Sequence, residues 1–475
     1  MIPTMNKILY SLIIFLILSS ASHAATKSNA TTKKGNIDKL PLKEFIQRAS
    51  RFDRSFEIIL MDQLPLGYRH DILIPDSDVI AEVKYQHNFY LSQDRNNPET
   101  TLSLSKLFPY KGTELSLSYN KDSSRSTTTD NSSLQFLISQ PIARNAFGKG
   151  TQLLGKIIGI ENDISRYQIV EAYEDYLASL TTAYYNWYSA YENLKVGQSS
   201  YRSNQKLMKN ILARQRQKIA LPVDVNKIRL QLIAKKENLV ILQEIYTSYS
   251  NLIYSAIDIS NGISYRPVEP KRPIREIKFE HDYKKFTQNS RTYRVLNLLE
   301  KQGTLEVKKA ADDLLPSTNL LLGYQRDGND WGIRNNERSF FAGIELQWPI
   351  GRTVDKAKHS VEQIQYKKTQ LSNQDKYVDL QTNLKNLYLQ IQREQELIDI
   401  AKKKRRLSNA ILKDEAENYS FGKVSLNDYI DAVNRVDENR FGHTEHLVQL
   451  NKLLVEWLRL TDQLVDERVL EGTSE

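Results

Sequence analysis

Proline is spread unevenly along these 475 residues, and its absences constrain the fold more than its positions do. None occurs between Ile142 and Leu221, and none from Ile350 to Glu475. Proline removes a backbone donor and clashes with the turn before it, so stretches this long without it are where uninterrupted helix is permitted. Pro267, Pro270 and Pro273 cluster between the two stretches and read as a non-helical linker. In the first stretch Ile169, Tyr173, Tyr176, Leu180, Ala183, Trp187, Ala190 and Leu194 recur in steps of four and three. That is a heptad seam, with alanines permitting close approach of a second helix. In the second, Leu380, Leu384, Leu387, Ile391 and Ile398 share one stripe, as do Leu447, Leu450, Leu454 and Trp457.

A Pro-Ile pair precedes each stretch. "LISQPIARNAFGKG" holds Pro141, and "LQWPIGR" holds Pro349, 208 residues later. "VDVNKIRLQL" (223–232) resembles "NDYIDAVNRV" (427–436), with Asp428 standing 204 residues after Asp224. Two landmarks at nearly one offset imply an internal duplication of about 200 residues. Each Pro-Ile would begin a helix running to a turn near 218–223 or 420–425, a descent of roughly 100 Å at 1.5 Å per residue. The return helices, 224–258 and 426–465, are about half as long. Segments 40–63 and 282–315 would supply the missing upper halves. Such a bundle has too narrow a core to close alone, which implies oligomerisation.

Before each Pro-Ile the period changes to two. "VIAEVKYQHNFYL" (79–91) sets Val79, Ala81, Val83, Tyr85, His87 and Phe89 against Glu82, Lys84, Gln86 and Asn88. Phe340, Ala342, Ile344, Leu346 and Trp348 alternate with Glu345 and Gln347 in the same way. Apolar-out, polar-in strands of about ten residues fit a membrane barrel with a wet lumen, although the edge of a soluble antiparallel sheet alternates identically. Trp348 would lie at the lipid–water boundary, where Trp is favoured. Pro349 and Pro141 would end the ladder, since proline cannot donate to it yet tolerates a helix start. "TLSLSKLFPYKGTELSLSY" (101–119) reads as a further hairpin, and whether it joins the barrel is open.

The first residues resemble an export leader: Lys7, the apolar core "ILYSLIIFLIL" (8–18) and small residues before Ala24, the expected cleavage point. No later segment is apolar enough for a membrane helix, so any span must be a β-barrel. Cysteine is absent, which excludes disulfides, thiol catalysis and lipidation on cysteine. The net charge is +9, but the basic residues are interspersed with acids along helical stretches, which argues against nucleic acid as a partner.

Taken together, "LLPSTNLLLGY" (314–324), the two Pro-Ile exits and "YSFGKVSLNDYIDA" (419–432) resemble the TolC family of outer-membrane efflux ducts over almost the whole chain. The resemblance implies a mainly α fold with membrane β: a homotrimer whose strands form one outer-membrane barrel of twelve strands, continued by a long α-helical coiled-coil tunnel through the periplasm. It implies a leader at 1–24, an N-terminal segment and upper helix at 25–78, and first-half strands at 79–141. A helical hairpin at 142–258 and an equatorial linker at 259–281 follow. The second half has an upper helix at 282–315, strands at 316–349, a hairpin at 350–465 and a tail at 466–475. The implied function is the exit duct of a tripartite efflux pump or type I secretion system. Its partners would be a periplasmic adaptor, an inner-membrane transporter and outer-membrane lipid, with no cofactor. The rival reading is a periplasmic adaptor or coiled-coil scaffold, which would need one long hairpin flanked by compact β domains.

Site residues follow from the resemblance at the periplasmic turns. Gly422, with Lys423, matches the turn that adaptors dock against. Asp428 and Asp431 match paired acids ringing the tunnel mouth, six carboxylates in a trimer, which would favour cations and attract metal ions. Tyr419 matches a gate tyrosine expected to hydrogen-bond Asp224 on the other turn. Val424 stands where the family has a gate arginine. The first turn, "KIALPVDV" (218–225), reads as two residues shorter, with Ala220 or Lys218 where glycine is expected. Asp428 equally fits a capping box after Ser425, whereas capping has no need of Asp431.

Other motifs carry less. His443 and His446 in "HTEH" lack a third ligand for a metal site. "GKGTQLLG" (148–155) lacks phosphate-loop spacing and suits a helix start, and "KKKRR" (402–406) suits a solvated helix face that an adaptor could touch. No nucleophile–base pair is legible, and an enzyme is not expected.

Overall fold

The computed structural model describes residues 37–90, 95–122, 131–257, 264–269, 277–328, 333 and 337–465. The expected leader, Pro270 and Pro273 of the linker, and the tail at 466–475 lie outside the described residues. The chain divides into two units. Among the described residues the first takes in 37–39 and 264–266, and the second takes in the rest. Strand β1 (Ile37–Leu40) pairs with β6 (Ser264–Pro267) as a two-stranded sheet that supplies the described residues of the first unit. The second unit contains the helices and a six-stranded sheet.

The segment expected as one upper helix at 40–63 is instead two, α1 (Leu42–Phe52) and α2 (Arg54–Met61). They break at Asp53, whose carboxylate accepts the Ser55 amide and starts the second helix. A short helix α3 (Arg69–Leu73) leads into strands β2 (Val79–Tyr90), β3 (Arg95–Phe108), β4 (Thr113–Asp122) and β5 (Asn131–Pro141). Helix α4 (Lys149–Arg216) then runs 68 residues and returns as α5 (Pro222–Ser255). The second half opens with α6 (Phe279–Asn289) and α7 (Arg291–Asp313), again a pair, broken where the Ser290 hydroxyl accepts the Tyr293 amide. Strands β7 (Ser317–Gly328) and β8 (Arg338–Gln347) lead to α8 (Thr353–Ser420), also 68 residues, and to α9 (Leu426–Leu460).

The expected seam residues are buried, Tyr173 and Ala183 to a lesser degree than the rest, with Trp187 fully enclosed on α4 and Leu384, Ile391, Ile398 and Trp457 on α8 and α9. The neighbour relations are α5 beside α4, α4 beside α9 and α9 beside α8, with α7 between α4 and α8 higher up. The lower row therefore ends at α5 on one side and α8 on the other. Both ends carry apolar residues left exposed: Leu230, Ile233, Val240 and Leu252 on α5, and Leu389, Ile400, Leu407 and Ile411 on α8.

The sheet order is β2-β3-β4-β5-β7-β8, antiparallel throughout. Twelve strands from three chains require four apiece; the described residues put six in this sheet, because the 101–119 hairpin is hydrogen-bonded into it as β3 and β4. The register explains why it belongs there. Ala81, Leu104, Leu117, Phe136, Tyr324 and Phe340 lie opposite one another in an unbroken row across all six strands. One residue along, Glu82, Ser103, Ser118, Gln135, Gln325 and Ser339 make the adjoining row on the opposite face. The first row is thus apolar and exposed from edge to edge, and the second is polar, although Ile80, Leu137, Leu321 and Phe341 share its face.

Candidate gate and docking turns

The two hairpin tips are built alike. Helix α4 ends with Lys218 in the left-handed region, φ +61°, and α8 ends with Gly422 at φ +72°. In each, the next amide reaches back five residues to close the helix: Ile219 to the Arg214 carbonyl and Lys423 to the Asn418 carbonyl, both at 2.9 Å. Three residues after the left-handed one comes the N-cap, Leu221 or Ser425, and three further on a carboxylate folds back onto it. Asp224 accepts the Leu221 amide at 3.1 Å, and Asp428 accepts the Ser425 amide at 3.1 Å. The turns therefore have the same length, not one shortened by two. Lys218 occupies the glycine position, while Ala220 corresponds to Val424 and is partly buried.

A shared core seats both tips. Leu207 and Ile211 of α4, Val225 and Ile228 of α5, and Leu426 of α9 pack together, with Ala220, Tyr419, Tyr429 and Ile430 around them. Tyr419 stacks on Tyr429 with ring centroids 5.5 Å apart and planes within 11°. Above the Tyr419 ring, at 4.9 Å, lies the Arg214 guanidinium, which also donates to the Tyr419 carbonyl at 3.2 Å. Val424 carries no charge, and the cation beside Tyr419 comes from α4. The expected hydrogen bond from Tyr419 to Asp224 is not formed within the chain, because the Asp224 carboxylate is turned to its own N-cap. Its charge still acts there: burial raises the Tyr419 hydroxyl pKa, Arg214 lowers it, and Asp224 raises it again.

Asp428 is a capping residue. It accepts the Ser425 hydroxyl at 2.7 Å as well as the amide, and its own amide donates to that hydroxyl at 3.3 Å. Those bonds hold its carboxyl below the usual range. Asp431, one turn further along α9, is exposed and makes no cap. The 204-residue offset sets Lys227 opposite it, so the tips differ in charge where they agree in backbone. Of the two residues expected at the glycine position, Ala220 and Lys218, the left-handed one is Lys218; sequence reasoning missed Arg214, Tyr429 and Lys227, and applying the offset residue by residue finds the last.

At the other end of the helices, Trp348 is exposed, with the Arg352 guanidinium 6.0 Å from its ring, and Pro349 follows the end of β8. Pro141 closes β5, where the Ile142 amide makes one further bond to Thr318 at 2.9 Å. Gly148 has φ +77°, and a Cβ there would overlap the Tyr110 carbonyl of the β3–β4 turn. The glycine-rich "GKG" is therefore a seat for that turn, which Gln152 also holds by donating to the Tyr110 carbonyl at 3.0 Å.

Of the remaining motifs, His446 pairs with Glu394 of α8 at 2.9 Å, and the described residues contain no cluster of three or more His, Cys, Asp or Glu placed to hold a metal. Lys402–Arg406 form an exposed face. No described helix is long and apolar enough to cross a membrane.

No family model matches the sequence, and no curated protein matches it. Solved structures do. The Campylobacter jejuni CmeC outer membrane channel superposes with a TM-score of 0.68 over 95% of this chain and 96% of its own, at 12% identity. The outer membrane protein VceC from Vibrio cholerae gives 0.66 over 88% and 95%, at 10% identity. The open-state Neisseria gonorrhoeae MtrE outer membrane channel gives 0.65 over 93% and 95%, at 12% identity. These neighbours are channels rather than enzymes, and none of the expected adaptor architecture, one hairpin between compact β domains, is found among the described elements. The chain has the fold of the outer-membrane channels.

Proposed function

We propose that this protein is an outer-membrane exit duct, a homotrimer whose sheets close into a barrel and whose helices continue through the periplasm. The carrying observation is that both layers stop at unsatisfied edges. The helix row ends at α5 and α8 with apolar stripes in water, and the sheet ends at β2 and β8 with unpaired backbone. Edge residues Val83 and Phe340 are each 73% exposed, whereas Leu117 and Tyr324 inside the sheet are 39% and 42% exposed. A head-to-tail ring of copies covers every edge at once. With an even number of strands per chain, β8 meets the next β2 antiparallel, as the ladder requires. Equal 68-residue helices and the 204-residue offset support duplicated halves.

In this duct the turns at Lys218 and Gly422–Lys423 face a periplasmic adaptor fed by an inner-membrane transporter, of efflux or type I secretion kind. Asp431 lines the periplasmic mouth and favours cations, whereas Asp428 chiefly fixes the start of α9. Trp348 sits at the lipid boundary. Cell fractionation tests the reading: recovery in the outer membrane, extracted by detergent as a trimer, supports it. A soluble periplasmic monomer contradicts it.

A further inference from the structure

The six strands carry a consequence for what can leave through the duct. Strands β3 and β4 are not an appendage on the sheet. Leu104 and Leu117 continue the apolar row from Ala81 to Phe136, and Ser103 and Ser118 continue the polar one. Their connecting turn is seated at the strand–helix junction. Gly112, at φ +69°, lies so close to Pro141 that a Cβ would meet its ring at 2.8 Å, and Tyr110 rests on Gly148 and Gly155. The His70 ring of α3 hydrogen-bonds the Tyr110 hydroxyl. A hairpin folded over a barrel rim or into its lumen has no reason to match both rows or to be keyed in at this end.

We infer that β3 and β4 are membrane-wall strands, so that three chains enclose an eighteen-stranded barrel with a lumen wide enough for bulky polar cargo, polypeptide included. The inference rests on the trimeric duct reading. At about 4.8 Å between strands and about 40° of tilt, eighteen strands give a circumference of about 113 Å and twelve about 75 Å. Four helices per chain at about 9–10 Å spacing give the tunnel about 115 Å. Eighteen strands therefore match the girth of the tunnel, so the barrel adds no narrowing and selection by size falls to the periplasmic tips. The polar row, largely serine and glutamine, suits a wet lumen of barrels this size.

The natural absence of cysteine makes the test direct. Single variants Leu104→Cys, Leu117→Cys, Ser103→Cys and Ser118→Cys, with Tyr324→Cys and Gln325→Cys on β7 as controls, are spin-labelled in reconstituted bilayers. Accessibility to oxygen and to a water-soluble nickel complex is then compared. Wall strands give oxygen-dominated collisions at Leu104 and Leu117 and nickel-dominated ones at Ser103 and Ser118, the same alternation as the β7 pair. Alternation on β7 with nickel access at all four hairpin positions overturns the eighteen-stranded wall and leaves the duct standing. Loss of alternation on β7 as well overturns the duct reading itself.

Discussion

The two hairpin tips have one backbone and two chemistries. Lys218 and Gly422 close their helices with the same five-residue bond, and Asp224 and Asp428 fold back onto their N-caps at the same distance. Around that frame, glycine faces lysine, Asp431 faces Lys227, and Ser425 with its hydroxyl faces Leu221 without one. The equal frames teach that one set of backbone and cap hydrogen bonds builds both turns. The unequal side chains leave the second tip as the acidic one.

The largest expected effect removes what the tips share. Ile228 is fully buried beneath both, so Ile228→Ala costs about 2–5 kcal/mol, and thermal melting of the extracted protein reads it. A loss below about 1 kcal/mol, on that same cavity scale, would mean the tips do not depend on a common core. Next is the left-handed position. Gly422→Ala destabilises by about 1–2 kcal/mol and Lys218→Gly stabilises by a comparable amount, because a Cβ is strained there. Equal shifts of one sign in denaturant midpoints would break the equivalence.

Ser425→Ala costs about 1 kcal/mol through the lost cap, while Leu221→Ser gains a part of that. The Asp428 carboxyl is held below its unfolded value, so its contribution is complete above the usual carboxylate range. It is lost as pH falls through the lowered folded value. Asp428→Asn should therefore flatten the acid side of the stability profile and leave neutral pH less stable; an unchanged profile would remove the cap. The smallest stability change, within about 0.5 kcal/mol, is expected for Asp431→Asn and Lys227→Gln. In single-channel recordings, however, Asp431→Asn should weaken block by polyvalent cations, whereas Lys227→Gln should not.

Much of this was legible beforehand because it rests on periodicity. The long helices follow from heptads without proline, and the strands at 79–90 and 338–347 follow from alternation. What was missed depends on contacts distant in sequence. The sequence leaves Lys218 and Ala220 as alternatives at the glycine position, and the five-residue bond closing on Ile219 puts the left-handed residue at Lys218. The Arg214 guanidinium reaches Tyr419 from 205 positions away. Asp53 and Ser290 broke helices whose apolar pattern continues past them, a capping effect that periodicity alone does not register. Membership of β3 and β4 in the sheet required the register, which sets Leu104 beside Ala81 and Leu117.

The proposed ring requires that α8 of one copy cover α5 of the next. Counting helix rise from the tips, Val240 and Ile400 both stand about 30 Å up, both are exposed, and their helices are not neighbours within the chain. Oxidising the double variant Val240→Cys, Ile400→Cys in intact outer membranes probes that contact. A closed ring of three gives covalent dimers and trimers, no larger ladder, and no such cross-link in either single-cysteine variant alone. Labelled but uncrosslinked monomers, or a ladder extending beyond three, would contradict it.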